Sequence, residues 1–305
     1  VNARILPLLH DLVTAIVQEG IAHPSAFQGS EVIFSAIRKP LRTLPEKHGE
    51  PVKPDNINGG LTHTPGHPTP SRILVYRVQD AGKVLVHEIL HLAGLDTPLQ
   101  AHGGHSWNPV KESQALVAQR YGIVTNRHPL GLNESYTEVM ACYLHTLWWA
   151  ACRHASSSRR LSLSDRQRSS SSGSMNISIE SPRIPAERIK SENAALSKME
   201  KHIQMVARRV WRHYSHSNGT VEWKESTHCF SYVACRASLW TPPFFKRFLA
   251  TYPPGRTPQD PRIYSQLLIE SMDSWIAKNR RVVQKTAIPF GTIVKPGSLR
   301  MTCYE

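Results

Sequence analysis

Apolar positions in the first segment recur at helical spacing. Ile5, Leu8, Leu9, Leu12, Val13, Ile16 and Val17 share one face, and Gly20 stands where a C-terminal cap belongs. Pro7 falls in the first turn, where proline is tolerated. From Pro40 to Pro70 the pattern lapses, and repeated prolines around the turn Asn56-Ile57-Asn58-Gly59-Gly60 predict a loop. The β-branched run from Ile73 to Val78 predicts a strand. Helical spacing returns from Asp80 to Ala93, closed by Gly94, and again over Lys111 to Tyr121 and Asn133 to Ala151. Further on, the pattern predicts a helix from Ala194 to Tyr214, a short strand at Val221 to Trp223, and helices from Thr227 to Trp240 and Ile263 to Arg281. These elements make the fold class α+β, mainly helical with a small sheet.

Composition adds a division of the chain. Residues 155–174 hold ten serines and four arginines with almost nothing apolar. Such a stretch cannot build a core, so residues 155–192 are expected to be a disordered insert or linker. It would separate a front domain, residues 1–154, from a basic helical region, residues 193–305, that completes the fold. The net charge of +14 sits mostly in that last region. There 17 Lys and Arg face 7 Asp and Glu, against 13 and 12 in residues 1–154. A surface for an acidic partner or RNA is one reading of this asymmetry, and plain solubility is the other.

Some classes are excluded. No stretch of eighteen apolar residues occurs, so no membrane span is expected. The five cysteines are odd in number, widely spaced and without a CxxC pair. That argues against a disulfide scaffold and favours a reducing compartment such as cytoplasm or mitochondrion. A targeting peptide could precede Val1.

The chemistry lies in His87-Glu88-Ile89-Leu90-His91, an HExxH motif inside a predicted helix. Residues four apart lie one above the other on a helix face, so both imidazoles can address one metal ion. Glu88 would stand beside the metal, placed to accept a proton from water. A chance match somewhere in a chain with this many His and Glu has a probability of roughly 0.04, and the preceding strand and apolar flanks lower it. Two structural histidines on a buried helix face are the plainer alternative. A third ligand is still needed, and Asn133-Glu134-Ser135-Tyr136-Thr137-Glu138 offers two carboxylates one turn apart.

These two segments resemble gluzincin metallopeptidases, whose NExxxD/E signature matches Asn133, Glu134 and Glu138. The resemblance covers about residues 73–96 and 131–145. It implies a zincin-like front domain in which zinc is held by His87, His91 and Glu134, with Glu138 orienting the first histidine. Glu88 would be the catalytic base, and the substrate a peptide or protein. Glu138 remains the alternative ligand. Glu134 lies 43 positions after His91, a longer gap than is usual in that group. His102 and His105 fall in the gap and are further candidates. The metzincin pattern is matched only through Gly94, because position 97 is Thr and Asp96 comes one residue early. The wider arrangement is also similar to uncharacterised HExxH proteins of large DNA viruses and protists. The residues concerned are Asn58-Gly59, Arg77, Lys83-Val84, His87-Glu88 and Tyr136-Thr137-Glu138.

An oxyanion stabiliser is expected in such chemistry, with Tyr232 the first candidate and His213 and His216 behind it. The strand at Ile73 to Val78 is expected to form the edge of the cleft, where an extended peptide could pair with it. The function expected is zinc-dependent peptide hydrolysis. The competing class is a catalytically silent metallopeptidase-fold subunit of a large assembly, such as a ribonucleoprotein.

Overall fold

The computed structural model describes residues 5–35, 42–63, 71–77, 79–100, 108–125, 130–166, 186–215, 221, 223–284, 291 and 299–303. In chain order the elements are α1 (Ile5–Gln18), β1 (Glu31–Phe34), α2 (Pro54–Ile57), β2 (Gly60–His63), β3 (Arg72–Val75) and α3 (Ala81–Leu92). Next come α4 (Pro109–Tyr121), β4 (Ile123–Thr125), α5 (Leu132–Arg166), α6 (Ala186–Tyr214) and β5 (Trp223–Glu225). A π-helix (Phe230–Cys235), α7 (Arg236–Leu239), α8 (Pro242–Thr251) and α9 (Pro261–Gln284) follow. The class is α+β and mainly helical. No helix among the described residues is long and apolar enough to cross a membrane.

α3 is the centre of the molecule. Lys83 through Leu90 are buried without a break, so the helix is enclosed on every side. The β-sheet covers one side and α5 the other. Gly94, with φ +70°, ends α3 in the left-handed conformation that glycine adopts without cost. At the other end Asp80, with φ +61°, accepts hydrogen bonds from Met301 N (2.8 Å), Thr302 N (3.2 Å) and Thr302 Oγ1 (2.8 Å), and pairs with Arg42. The C-terminal residues are thereby tied to the start of the motif helix.

The sheet has the order β1-β3-β2, with β1 parallel and β2 antiparallel to β3. This corrects the edge expectation: β3 is central, and β2 is the edge strand beside α3. The correction has a steric cause. Gly60 lies so close to α3 that a Cβ there would stand 2.7 Å from both Glu88 Oε1 and a Val84 methyl. Glycine alone lets the strand come this near, and the same residue had read as part of a loop. Two buried arginines hold the approach. Arg42 Nε donates to Ile57 O at 2.6 Å, and Arg77 donates to Asn58 O at 2.7 Å and to Asp55 O.

The expected insert is corrected at both ends. α5 continues to Arg166 and α6 begins at Ala186, so residues 155–166 and 186–192 are helical; residues 167–185 lie outside the described residues. Lack of apolar residues rules out a core but not helix extension. Adding a residue to an existing helix fixes few dihedrals per hydrogen bond gained, and arginine is a good helix former.

The front and back regions share one interior. β4 pairs in parallel with β5, α5 packs along α6, and α4 packs against α9. Between them lies an aromatic core in which Tyr214 and Trp223 rings are 4.5 Å apart, with Trp211, Trp275 and Phe230 around them. Each such fully buried large side chain contributes roughly 1.5–3 kcal/mol from the area it removes from water.

Glu225 ends β5 inside this interior. Its Oε2 accepts from Phe230 N at 2.7 Å, while Oε1 has no partner. Burial pushes its carboxyl up to about 8 from an ordinary 4.5. Between those values the folded state holds a proton that the unfolded state has released, so stability falls as pH rises. Urea denaturation should show wild type losing on the order of a few kcal/mol between pH 5 and 8 from this group, with Glu225→Gln markedly flatter. An equal slope in the variant would remove Glu225 as the cause.

Candidate metal centre

The helix period places His87 and His91 on the same face of α3, and α5 brings Glu134 opposite them. His91 Nε2 is 3.0 Å from His87 Nε2, and Glu134 Oε2 is 3.2 Å from His87 Nε2 and 3.3 Å from His91 Nε2. These three side chains form the group that could hold a metal ion among the described residues. A tetrahedral zinc with bonds near 2.0–2.1 Å requires ligand atoms about 3.3 Å apart, which this triangle approaches.

The outer partners determine which ring atoms face inward. His91 Nδ1 donates to Asp96 Oδ2 at 2.8 Å. Asp96 also accepts from Gln100 Nε2 (2.9 Å) and Asn133 Nδ2 (3.0 Å), which steady its carboxylate. His87 Nδ1 lies 3.1 Å from Glu138 Oε2, though off the line of a straight hydrogen bond. With the Nδ1 protons turned outward, both Nε2 lone pairs point at the Glu134 carboxylate. Two imidazole nitrogens and a carboxylate meeting in a largely buried space favour a proton or a cation between them.

Electrostatics point the same way. Burial disfavours charge on His87 and His91, but Glu134, Glu138 and Asp96 prevail and hold both imidazoles above their ordinary value. Burial alone would raise Glu134, yet the two imidazoles keep it well below the usual carboxylate range. Protons here do the work that a cation would do, and a divalent metal would displace them.

The choice between the two glutamates has a structural basis. Both oxygens of Glu138 are engaged by buried cations: Lys83 Nζ reaches Oε2 at 2.6 Å, and Arg236 reaches Oε1 at 2.8 Å. Burial opposes ionisation, but Lys83, His87 and Arg236 together hold Glu138 anionic far below its ordinary value. Glu138 is thus placed behind His87, while Glu134 faces both imidazoles.

Glu88 is not part of the triangle. Its Oε2 accepts from Thr62 Oγ1 at 2.7 Å, and it lines a cleft of about 300 Å³ together with His87, His91 and Glu134. Gly60, Leu61 and Thr62 of β2 form one side of this cleft, and His228 and Tyr232 line it from the back region. The π-helix delivers Tyr232, whose extra residue per turn shifts side chains off the α-helical face. The Tyr232 ring meets that of His87 edge-on at 5.8 Å, and its hydroxyl is close enough to Glu134 to feel its charge. Burial and the surrounding carboxylates raise the phenol well above its ordinary value, so it remains a donor.

Other expected participants are elsewhere. His213 is buried and donates to Glu50 O at 2.9 Å, away from the cleft. His102, His105 and His216 lie outside the described residues. Asp96, Thr62, His228, Lys83 and Arg236 were missed as site residues. Asp96 had a signal, five positions after His91, but it was weighed only as a ligand. Arg236 and His228 had none, since their proximity arises from long-range packing. Of the residues quoted for the viral and protist similarity, Asn58, Gly59, Lys83, Val84, His87, Glu88 and Glu138 line one small cavity beside the triangle, and Arg77, Tyr136 and Thr137 do not.

No family model matches the chain, and no curated protein or solved structure does so either. The gluzincin resemblance therefore rests on the residues quoted above.

Proposed function

We propose that the chain is a zinc-dependent peptidase whose metal is held by His87, His91 and Glu134. The observation that carries this reading is the convergence of three lone-pair donors within 3.3 Å at the floor of a cleft, two of them backed by carboxylates. A nitrogen and oxygen donor set with a neighbouring open cleft suits a catalytic zinc site. When bound, zinc would supply a Lewis acid and lower the pKa of water at the site.

The chain's own residues would do the rest. The β2 edge would hold an extended peptide, since Tyr76 N bonds Gly59 O and the register then turns the N–H and C=O of Gly60 and Thr62 away from β3. No described strand occupies that edge. Glu88, steadied by Thr62, would accept the proton of the attacking water and later give it to the leaving amine. Tyr232 would stand on the opposite wall as a hydrogen-bond donor to developing negative charge.

The test is metal analysis of the purified chain together with hydrolysis of an unfolded protein substrate. We expect one zinc per chain, with activity abolished by a chelator and restored by zinc. Full zinc without hydrolysis would favour the silent assembly subunit instead, and hydrolysis that survives chelation would sink the proposal.

A further inference from the structure

The exposed positions along the last turns of α6 are Ser197, Lys198, Lys201, Met205, Arg208 and Arg209, with Arg212 half-buried at the end. Four of the six are cationic and none is acidic; the half-buried Glu200, beside Lys201, is the one acidic side chain in these turns. On the opposite side Met199, Ile203, Val206 and Val210 are completely buried. Arg208 Nε donates to Asn279 Oδ1 of α9 at 2.7 Å, and the flanking Lys278 and Arg280 are exposed. The cationic surface therefore extends onto a second helix.

Helix stability does not explain this face. Like charges three and four residues apart repel. Cations complement the helix dipole only in the last turn, which accounts for Arg212 but not for Lys198 or Lys201. The run from Lys198 to Arg212 covers about 21 Å along the helix axis, roughly six phosphates of one duplex strand.

We propose that this face binds the phosphate backbone of a nucleic acid. A linear polyanion can meet successive cations on neighbouring turns together, and guanidinium groups fit phosphate in a forked, two-bond geometry. A membrane surface fits less well: a helix that lies in lipid needs a free apolar face, and that of α6 is consumed by the core. The charge of the whole chain is concentrated in the region of the sequence that carries α6, with 17 Lys and Arg against 7 Asp and Glu in residues 193–305. The binding would not depend on the metal site, because none of these residues belongs to it.

The test compares two variants of the full chain with equal loss of charge. One carries Lys198→Gln, Lys201→Gln and Arg209→Gln; the other carries Lys246→Gln, Arg247→Gln and Arg262→Gln at exposed positions on α8 and α9. Probes are a single-stranded RNA of about 20 nucleotides, the DNA of the same sequence, and polyglutamate of equal charge, each titrated from about 50 to about 300 mM salt. Thermal melts establish that both variants remain folded. We expect the α6 variant to bind nucleic acid at least about tenfold more weakly and its log–log salt slope to flatten by about 2, as three lost phosphate contacts imply. The matched variant should lose less than about threefold. Similar affinity for RNA and DNA would mark backbone recognition, and a preference would identify the strand. Equal losses in the two variants, polyglutamate binding as tight as RNA, or no wild-type binding at the lowest salt would each overturn the proposal.

Discussion

Glu88→Gln is expected to reduce peptide hydrolysis by at least about 10²-fold while zinc content and melting temperature stay at wild-type values. Glu88 is outside the group formed by His87, His91 and Glu134, so the proposed ligands are untouched. Thr62 Oγ1 can donate to an amide oxygen as it does to the carboxylate, which keeps the side chain in place. What is lost is the proton acceptor, and general-base catalysis contributes about 10²–10⁴-fold. A neutral amide adds no buried charge, so the fold should tolerate it. Turnover, zinc content and thermal melting measured on the same preparation decide the matter. Undiminished turnover in the variant would remove Glu88 from the mechanism. Absence of hydrolysis in both proteins, with zinc present, is what the silent-subunit reading expects.

The two glutamates of α5 should fail differently. Glu134→Ala should abolish stoichiometric zinc binding, because two imidazoles alone leave a zinc site without its third protein ligand. Its effect on the metal-free fold should be small, since His87 and His91 can become neutral once the carboxylate is gone. Glu138→Ala should weaken zinc by only about 10- to 100-fold, as removal of an outer partner does. It should nevertheless cost the fold about 3–5 kcal/mol, because Lys83 and Arg236 would remain buried without their shared anion. Zinc titration and chemical denaturation of both variants separate these outcomes. Reversal of the two metal effects would make Glu138 the ligand and shift the site by one helical turn.

The helices that carry the candidate ligands were legible from short-range pattern in part. α3 and the neighbouring α4 begin and end within about two residues of the predicted limits, and α5 begins within one of them but runs on to Arg166, because apolar period, the Asn108 cap and Gly94 act locally. Elements that depend on distant partners were not. β1 and β2 are four residues each and carry no strong period, and they exist because β3 lies between them. The stretch expected as one helix from Thr227 to Trp240 becomes a π-helix followed by α7, a change in turn that no residue spacing announces. The strand expected at Val221 to Trp223 falls instead at Trp223–Glu225, where β4 supplies its partner.

For the site, the sequence by itself determined the candidate ligands: residues one helical turn apart share a face, so His87 with His91, and Glu134 with Glu138, each present a pair whatever surrounds them. It also determined that a proton acceptor, Glu88, would lie next to the pair. Only the tertiary structure decided how the pairs meet. Residues 43 or more positions apart come together because α3 is buried between sheet and α5, and that packing turns Glu134 toward the imidazoles. It also brings Lys83 and Arg236 to Glu138, Asp96 to His91, and the glycine-bearing edge of β2 to Glu88. Their surroundings are set by charge and burial in three dimensions, which depend mostly on long-range contacts that periodicity along the chain does not encode.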